Sequence, residues 1–217
     1  MNFLDKYKIK INNTKLLEAA LTHSSYSNEH ANVLNYERLE YLGDAVLELI
    51  ISDYFYNNSD LAEGDMTKLR ASYVCEKALA TYAKNDVGFI PDIKVGNGQQ
   101  DNINDTIIAD IFESILAAIY LEKGLNVAKD YIYKIIIPYI EKGYEFFDDY
   151  KTKLQELVQT DRNSLEYELV KESGEPHNKK FEVVVKINNI IYGRGIGKSK
   201  KEAEQNAAYN AYQKSAK

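Results

Sequence analysis

Residues 106–121 constrain the fold more than any other segment of the chain. They are apolar almost all the way round at helical spacing, which predicts a helix buried among other helices. Asp110 and Glu113 interrupt this pattern three positions apart. A buried carboxylate is costly unless it is paired or bound to a metal, and residues 95–122 contain no lysine or arginine. The pattern therefore favours a metal site, although a basic residue from elsewhere could also pair with these acids.

A second group of acids lies in residues 35–47. Glu37, Glu40 and Asp44 are spaced i, i+3 and i+7, so a helix would place all three on roughly one face. A hard divalent cation such as Mg²⁺, which prefers carboxylate oxygens, would relieve their mutual repulsion. A solvated acidic face on a surface helix is the alternative, and the spacing alone leaves both interpretations open.

The periodicity of the whole chain indicates two parts. Helical patterns occupy 14–25, 35–57, 66–84, 105–122 and 125–142, followed by a glycine-marked linker. The tail has a short helix, three alternating segments and a second helix, at 151–160, 165–171, 180–187, 190–195 and about 199–214. We therefore predict an all-α domain, residues 1–147, and a small α+β domain, residues 150–217, ordered α-β-β-β-α. Asn188 and Asn189 suit the tight turn between the last two strands.

Charge is divided unevenly between these two parts. The formal net charge is −6, yet residues 150–217 contain 13 basic and 9 acidic residues, a net charge of +4, which leaves −10 on the remainder. An acidic domain joined to a basic one suits metal chemistry in the first and phosphate contact in the second.

The last helix has a distinctive start. Ser199 and Glu202 match a capping box, which predicts that the helix begins here. Lys198, Lys200 and Lys201 crowd this end, where the helix dipole disfavours cations unless a phosphate is bound. Lysines that simply extend into water are the alternative interpretation.

Residues 35–47, Asn-Tyr-Glu-Arg-Leu-Glu-Tyr-Leu-Gly-Asp-Ala-Val-Leu, resemble the signature of ribonuclease III, a family of endonucleases that cut double-stranded RNA. Residues 21–26, 63–67 and 108–113 are similar to further family segments in the same order, so the resemblance covers nearly the whole chain. Tyr41 is a departure, because the family commonly has phenylalanine there.

This resemblance implies a catalytic site. Two helices would each supply two metal ligands for Mg²⁺, with Mn²⁺ as a possible substitute: Glu40, Asp44, Asp110 and Glu113. Asp44 and Glu113 are the implied catalytic residues, and Glu37 and Glu63 are implied as secondary acids in the cleft. Metal ions would activate the attacking water and stabilise the leaving 3′ oxygen. The products would carry 5′-phosphate and 3′-hydroxyl ends, in a role such as rRNA or mRNA processing.

The tail resembles the double-stranded-RNA-binding domain. The lysines at the start of the last helix correspond to the phosphate-binding motif of that domain family. The segment with Gln155 and Glu156 corresponds to the first helix of the family. His177 lies in a segment similar to the loop that enters the minor groove, although an isolated loop histidine would otherwise be read as merely exposed. Such domains recognise A-form shape and 2′-hydroxyl groups more than sequence.

The family resemblance also implies a homodimer. Residues 42–51 are apolar on more than one side, and in the family this helix packs against its twin, with the aromatic residue at the Tyr41 position in a socket on the partner. Two other classes remain open: a non-catalytic protein that binds double-stranded RNA, and a phosphohydrolase acting on small nucleotides. The complete set of acids argues against the first, and the RNA-binding tail argues against the second.

Composition suggests where the protein works. The start of the chain turns polar at once, so we expect no signal peptide, and every long apolar segment carries acids, so we expect no membrane span. A single cysteine, Cys75, cannot form an intramolecular disulfide, which favours a reducing compartment. We expect a soluble cytoplasmic protein.

Overall fold

The structure, a computed structural model, describes residues 3–100, 102–146, 150–160, 164–174 and 179–215. The chain divides into two compact units, Met1–Phe146 and Phe147–Lys217. Within the described residues, no helix is long and apolar enough to cross a membrane.

The N-terminal unit is helical. Its α-helices are α1 (Thr14–Ala20), α2 (Ser24–Glu29), α3 (Glu37–Asn58), α4 (Glu63–Val74), α5 (Glu76–Tyr82), α6 (Asp105–Lys123) and α7 (Leu125–Glu141). Short 3-10 turns lie at Asp5–Tyr7, Ile90–Asp92 and Asn97–Gln99, and a π-helical turn, Ala83–Val87, extends α5. This architecture confirms the predicted all-α domain.

Two of the predicted helices are each broken in two. The pattern over 14–25 is interrupted because Thr22 pairs with Lys94 in an isolated β-bridge and His23 caps α2 through its ring nitrogen. The pattern over 66–84 is interrupted at Cys75, whose ψ of 157° is extended. Helix α4 begins at Glu63, three residues before the predicted helical pattern, and Glu63 and Asp65 lie in its first turn.

Helix α6 lies at the centre of the N-terminal unit, as its apolar pattern predicts. Seven of its apolar side chains have no solvent exposure: Ile111, Phe112, Ile115, Leu116, Ala117, Ala118 and Ile119. At about 25 cal/mol per Å² of apolar surface, the burial of such side chains is the main stabilising term for a unit of this kind. A helix surrounded in this way gives its acidic residues a fixed, rigid position.

The packing of α3 against α6 depends on Gly43. A Cβ atom at this position would overlap the carbonyl oxygen of Glu113, so the two helix backbones touch directly at this point. Any larger residue would push the helices apart. Gly43 therefore sets the distance between the acids on α3 and those on α6.

The C-terminal unit contains α8 (Tyr150–Thr160), β1 (Leu165–Ser173), β2 (Lys180–Ile187), β3 (Ile190–Gly197) and α9 (Lys200–Ser215). The strands form an antiparallel sheet in the order β1-β2-β3. Asn188 and Asn189 both have positive φ in the β2–β3 turn, as the sequence predicts. The fold is therefore the predicted α-β-β-β-α domain.

Small residues let α9 approach the sheet closely. Gly193 and Gly195 face Ala203 and Ala207 so tightly that a Cβ atom on either glycine would overlap the helix backbone. The alanines are fully buried, together with Val185 on the central strand. This close contact fixes the start of α9 beside the end of β3, where the predicted phosphate-binding lysines lie.

Candidate active site

The crossing of α3 and α6 brings together the four acids that the sequence predicts as metal ligands. Glu40 and Asp44 come from α3, and Asp110 and Glu113 come from α6. Glu113 experiences the negative charges of the other three. The two predicted acidic patterns therefore form one cluster, although they are about 70 residues apart in the chain.

Glu113 has the most strongly shifted carboxyl group of this cluster. Burial on α6 and the negative charges of Asp44, Asp110, Glu40 and Glu48 raise its pKa to about 8. Burial and the charges of neighbouring acids also raise the pKa of Glu40. The cluster thus resists carrying all its negative charges at once, which is the electrostatic condition that a bound cation relieves.

Asp110 is held by a hydrogen bond from outside the predicted set. The hydroxyl of Tyr36, a buried residue just before α3, donates to Asp110 Oδ2 at 2.9 Å. Burial raises the pKa of Asp110, while this hydrogen bond and the nearby His23 ring oppose that rise. The ring of His23 lies 5.6 Å from the ring of Tyr36.

The donor chemistry of the cluster fits a hard divalent cation. Carboxylate oxygens are the ligands that Mg²⁺ and Mn²⁺ accept, and no lysine or arginine of the described residues forms an ion pair with any of the four acids. No three acidic, histidine or cysteine side chains in the described part of the chain are already gathered as a ligand set. The side chains would therefore have to close around a cation when it binds.

The two predicted secondary acids lie in different places. Glu37 begins α3, and its charge acts on Glu40. Glu63 begins α4 and lines a cavity with Ser52 and Tyr56 near the other end of α3, which is more than 10 Å from Asp44 at about 1.5 Å of rise per residue. In the structure of a single chain, Glu37 therefore lies near the acidic cluster, whereas Glu63 does not.

The predicted RNA-binding residues lie on the C-terminal unit. Lys198, Lys200 and Lys201 are exposed at the start of α9, and Gln155 and Glu156 are exposed on α8. The Ser199 hydroxyl accepts the Glu202 amide at 3.2 Å, while Glu202 accepts the Lys198 amide at 2.6 Å. The capping arrangement predicted there is therefore present. His177 lies outside the described residues.

Sequence reasoning missed three members of the site. Tyr36 looks like an ordinary core aromatic, and only the fold shows that its hydroxyl reaches Asp110. Glu48 and Glu76 add negative charge near Glu113 and Asp110, respectively. Glu48 continues the acidic spacing of α3 four residues after Asp44, so the sequence did carry a signal for it.

A helical unit with crossed acidic helices, followed by an α-β-β-β-α unit with a basic helix start, defines a nuclease that carries an RNA-binding domain. The family described as Ribonuclease-III-like matches residues 13–140, and the double-stranded RNA binding motif matches residues 150–215. The chain belongs to the ribonuclease III family.

Its relatives extend over almost the whole chain. Ribonuclease 3 of Streptococcus gordonii is 45% identical and covers 97% of this chain and 94% of its own length. Ribonuclease 3 of Listeria monocytogenes is 46% identical and covers 93% of this chain and 91% of its own length. Among solved structures, the nuclease domain of ribonuclease III from Campylobacter jejuni has a TM-score of 0.55 and 36% identity, covering 65% of this chain and 96% of that one.

Family membership gives the chain its general function. The protein is an endoribonuclease of a metal-dependent family, with a domain for binding double-stranded RNA. The prediction of an enzyme is therefore confirmed, and the non-catalytic alternative is not supported.

Proposed function

We propose that this chain uses Mg²⁺, which Mn²⁺ can replace, to cleave double-stranded RNA and leave 5′-phosphate and 3′-hydroxyl ends. The observation that carries the proposal is the cluster of four carboxylates at the α3–α6 crossing, which has no lysine or arginine partner in the described residues. Its substrates would be duplex regions of rRNA and mRNA precursors in the cytoplasm.

The proposed roles follow from the position of each residue. Glu40, Asp44, Asp110 and Glu113 would hold the cation, which supplies a Lewis acid beside the scissile phosphate. Asp44 and Glu113, on either side of the close contact at Gly43, are the proposed catalytic carboxylates that orient the attacking water. The predicted domains, residues 1–147 and 150–217, would act respectively as nuclease and as RNA-binding module.

The α9 lysines would contact the RNA backbone. Lys200 and Lys201 begin α9, where free amide groups and the positive end of the helix dipole favour a phosphate. Gln155, Glu156 and His177 would contact the minor groove, where 2′-hydroxyl groups distinguish RNA from DNA.

Cleavage of end-labelled duplex RNA tests this proposal. We expect cutting with Mg²⁺ or Mn²⁺ and none in a chelator, with products that a ligase accepts at the 5′ end and a poly(A) polymerase extends at the 3′ end. Glu113→Gln should nearly abolish cutting while gel-shift affinity for the RNA is kept. Glu141→Gln, at the exposed end of α7, is the matched control and should cut normally. Near-normal cleavage by Glu113→Gln at low Mg²⁺ would contradict the assignment.

We also propose that the chain forms a homodimer through α3. Tyr41, Ala45, Leu49 and Tyr56 lie within about 80° of one another around the helix, and all four are exposed. Tyr41 is 83% exposed and Tyr56 76% exposed. An exposed apolar stripe of this kind is typical of an interface. The related nuclease domain from Campylobacter jejuni is described as having a flexible region involved in dimer formation.

A cavity beside this stripe suits the side chain of Tyr41 from a second copy. It has a volume of about 270 Å³ and is lined in part by Ser52, Tyr56 and Arg70. Tyr41 precedes Leu49 by eight residues and Tyr56 follows it by seven, so a two-fold axis near Leu49 would place Tyr41 of one copy beside Tyr56 of the other. The buried Arg70 Nε has no acceptor among the described residues, and the Tyr41 hydroxyl could supply one.

A further inference from the structure

We propose that Tyr36 is a positioning residue that orients the Asp110 carboxylate for cation binding, and that residues 22–25 hold Tyr36 in place. This inference rests on the proposed function of the α3–α6 cluster. It also assigns a role to the segment 21–26, which matches the family pattern but contributes no acid to the cluster.

The contact with Asp110 has the geometry of a defined interaction. The Tyr36 side chain belongs to a residue only 6% exposed, and its hydroxyl lies 2.9 Å from Asp110 Oδ2. A buried hydroxyl that lost this acceptor would be left unpaired at a cost of about 1–3 kcal/mol. The bond uses Oδ2, so Oδ1 can still bind a cation.

Tyr36 is itself held by contacts with Thr22 and His23. Its backbone N–H donates to the carbonyl of Thr22 at 3.0 Å, and its ring packs against the ring of His23. Thr22 is fully buried, and its hydroxyl donates to the Glu18 carbonyl at 2.7 Å. His23 Nδ1 accepts the Ser25 amide at 3.1 Å, which holds the orientation of the imidazole.

This arrangement matters because Asp110 lies among like charges. Glu76 adds a negative charge near Asp110, and the charge of Asp110 in turn acts on Glu40 and Glu113. Repulsion favours rotation of the carboxylate away from the cluster, whereas the Tyr36 hydroxyl holds one oxygen in place. Hydrogen bonds that orient metal ligands commonly change metal affinity by about 10-fold to 100-fold.

Cation binding can be measured without catalysis by the rise in unfolding temperature as Mg²⁺ or Mn²⁺ is added. We expect Tyr36→Phe to move the half-saturating concentration upward by about 10-fold, with unchanged RNA affinity in a chelator. Tyr7→Phe is the matched control, because Tyr7 is also buried and its hydroxyl donates to a backbone carbonyl, that of Asp86, at 2.8 Å. Its half-saturating concentration should equal that of the unchanged chain.

Two further variants separate the possible outcomes. If the hydroxyl alone acts, Tyr36→Leu should have the same half-saturating cation concentration as Tyr36→Phe. If this concentration is normal in Tyr36→Phe and rises only in Tyr36→Leu, the ring rather than the hydroxyl positions Asp110, and the proposal is overturned. Glu113→Gln should lose most of the cation-dependent stabilisation. If it keeps that stabilisation, the cation binds elsewhere and the proposed function of the cluster fails, whatever Tyr36 does.

Discussion

Glu113 is proposed as a catalytic residue, and its buried position among like charges is unfavourable for stability. Its pKa of about 8 exceeds the ordinary value of 4.5, so the folded chain binds this proton more tightly than the unfolded chain. Without a cation, stability should therefore fall as pH rises from about 4.5 through 8. A cation bound at the cluster would offset this loss.

We expect Glu113→Gln to unfold at a higher temperature than the unchanged chain in a chelator at pH 8.5, because glutamine carries no charge into the cluster. The difference should be a few degrees, the shift that about 1 kcal/mol produces in a domain of this size. It should shrink towards pH 5 and vanish below about pH 4.5, where Glu113 is protonated in both the folded and the unfolded state. Thermal unfolding monitored by circular dichroism checks this, and a difference independent of pH would contradict the electrostatic explanation.

For individual residues, the sequence predicts which charged side chains belong to the cluster better than it predicts the contacts that they make. Asp110 and Glu113 stand out because they interrupt an apolar helix, and the structure places both beside the acids of α3. The hydroxyl of Tyr36 gives no such signal, since tyrosine is common in helical cores and its partner is 74 residues away. The role of Glu63 stays a prediction, because one chain alone does not bring it to the cluster.

Among the elements, α6 connects the site to the start of the chain. Glu122, near its C-terminal end, accepts the amides of Asn12 and Asn13 at 2.8 and 2.9 Å. Asn13 then caps α1 by accepting the Leu16 amide. The helix that carries Asp110 and Glu113 thus also fixes the entry of the chain into α1.

This connection predicts a pH dependence opposite in sign to that of Glu113. The two backbone amides, followed by Lys123, lower the pKa of Glu122 from 4.5 to about 2. A lowered carboxyl pKa stabilises the folded state above about pH 4.5, and this contribution is lost as pH falls towards 2. Glu122→Gln should therefore lower the unfolding temperature at pH 6, with a gap that closes towards pH 2.5. Glu141→Gln is the control, and a gap that persists at pH 2.5 would exclude the ionised carboxylate as its cause.

The boundaries of elements show why local patterns predict only part of the fold. Residues 14–25 keep helical spacing, yet the helix breaks because the backbone of the distant Lys94 forms hydrogen bonds with Leu21 and His23. That competing contact is tertiary and has no local signature. The Asn188–Asn189 turn and the Ser199–Glu202 cap were predictable because their causes lie within a few residues.

In the molecule as a whole, net charge differs between the two units, being negative in the first and positive in the second. Lys200 and Lys201 are exposed at the start of α9, and no described acidic side chain forms an ion pair with either. Replacing both with alanine should weaken RNA binding and reduce the slope of log affinity against log salt by about 1–2, since fewer counterions are released. Lys134→Ala with Lys142→Ala, two exposed lysines of the N-terminal unit, is the control. An unchanged slope would mean that Lys200 and Lys201 are merely solvated.

The oligomeric state is a further property of the whole molecule, and substitution of Tyr41 tests it. An aromatic side chain that leaves water at an interface removes roughly 150–250 Å², which at about 25 cal/mol per Å² contributes a few kcal/mol, and a symmetric dimer has two such contacts. We expect the unchanged chain to sediment as a dimer at micromolar concentration and Tyr41→Asp to shift it towards monomer. A monomer brings only one acidic cluster to the duplex. It should therefore cut one strand at a time, and nicked duplexes should accumulate.

Two further variants test whether the effect belongs to the α3 stripe. Leu34→Asp introduces the same charge at a position that is 72% exposed but precedes α3 and is not part of the stripe, and it should remain dimeric. Tyr41→Phe keeps the ring and should also remain dimeric, because the ring rather than the hydroxyl removes most of the apolar area from water. An unchanged chain that sediments near its monomer mass of 24.8 kDa across the micromolar range, while still cutting both strands together, would rule out the dimer mechanism.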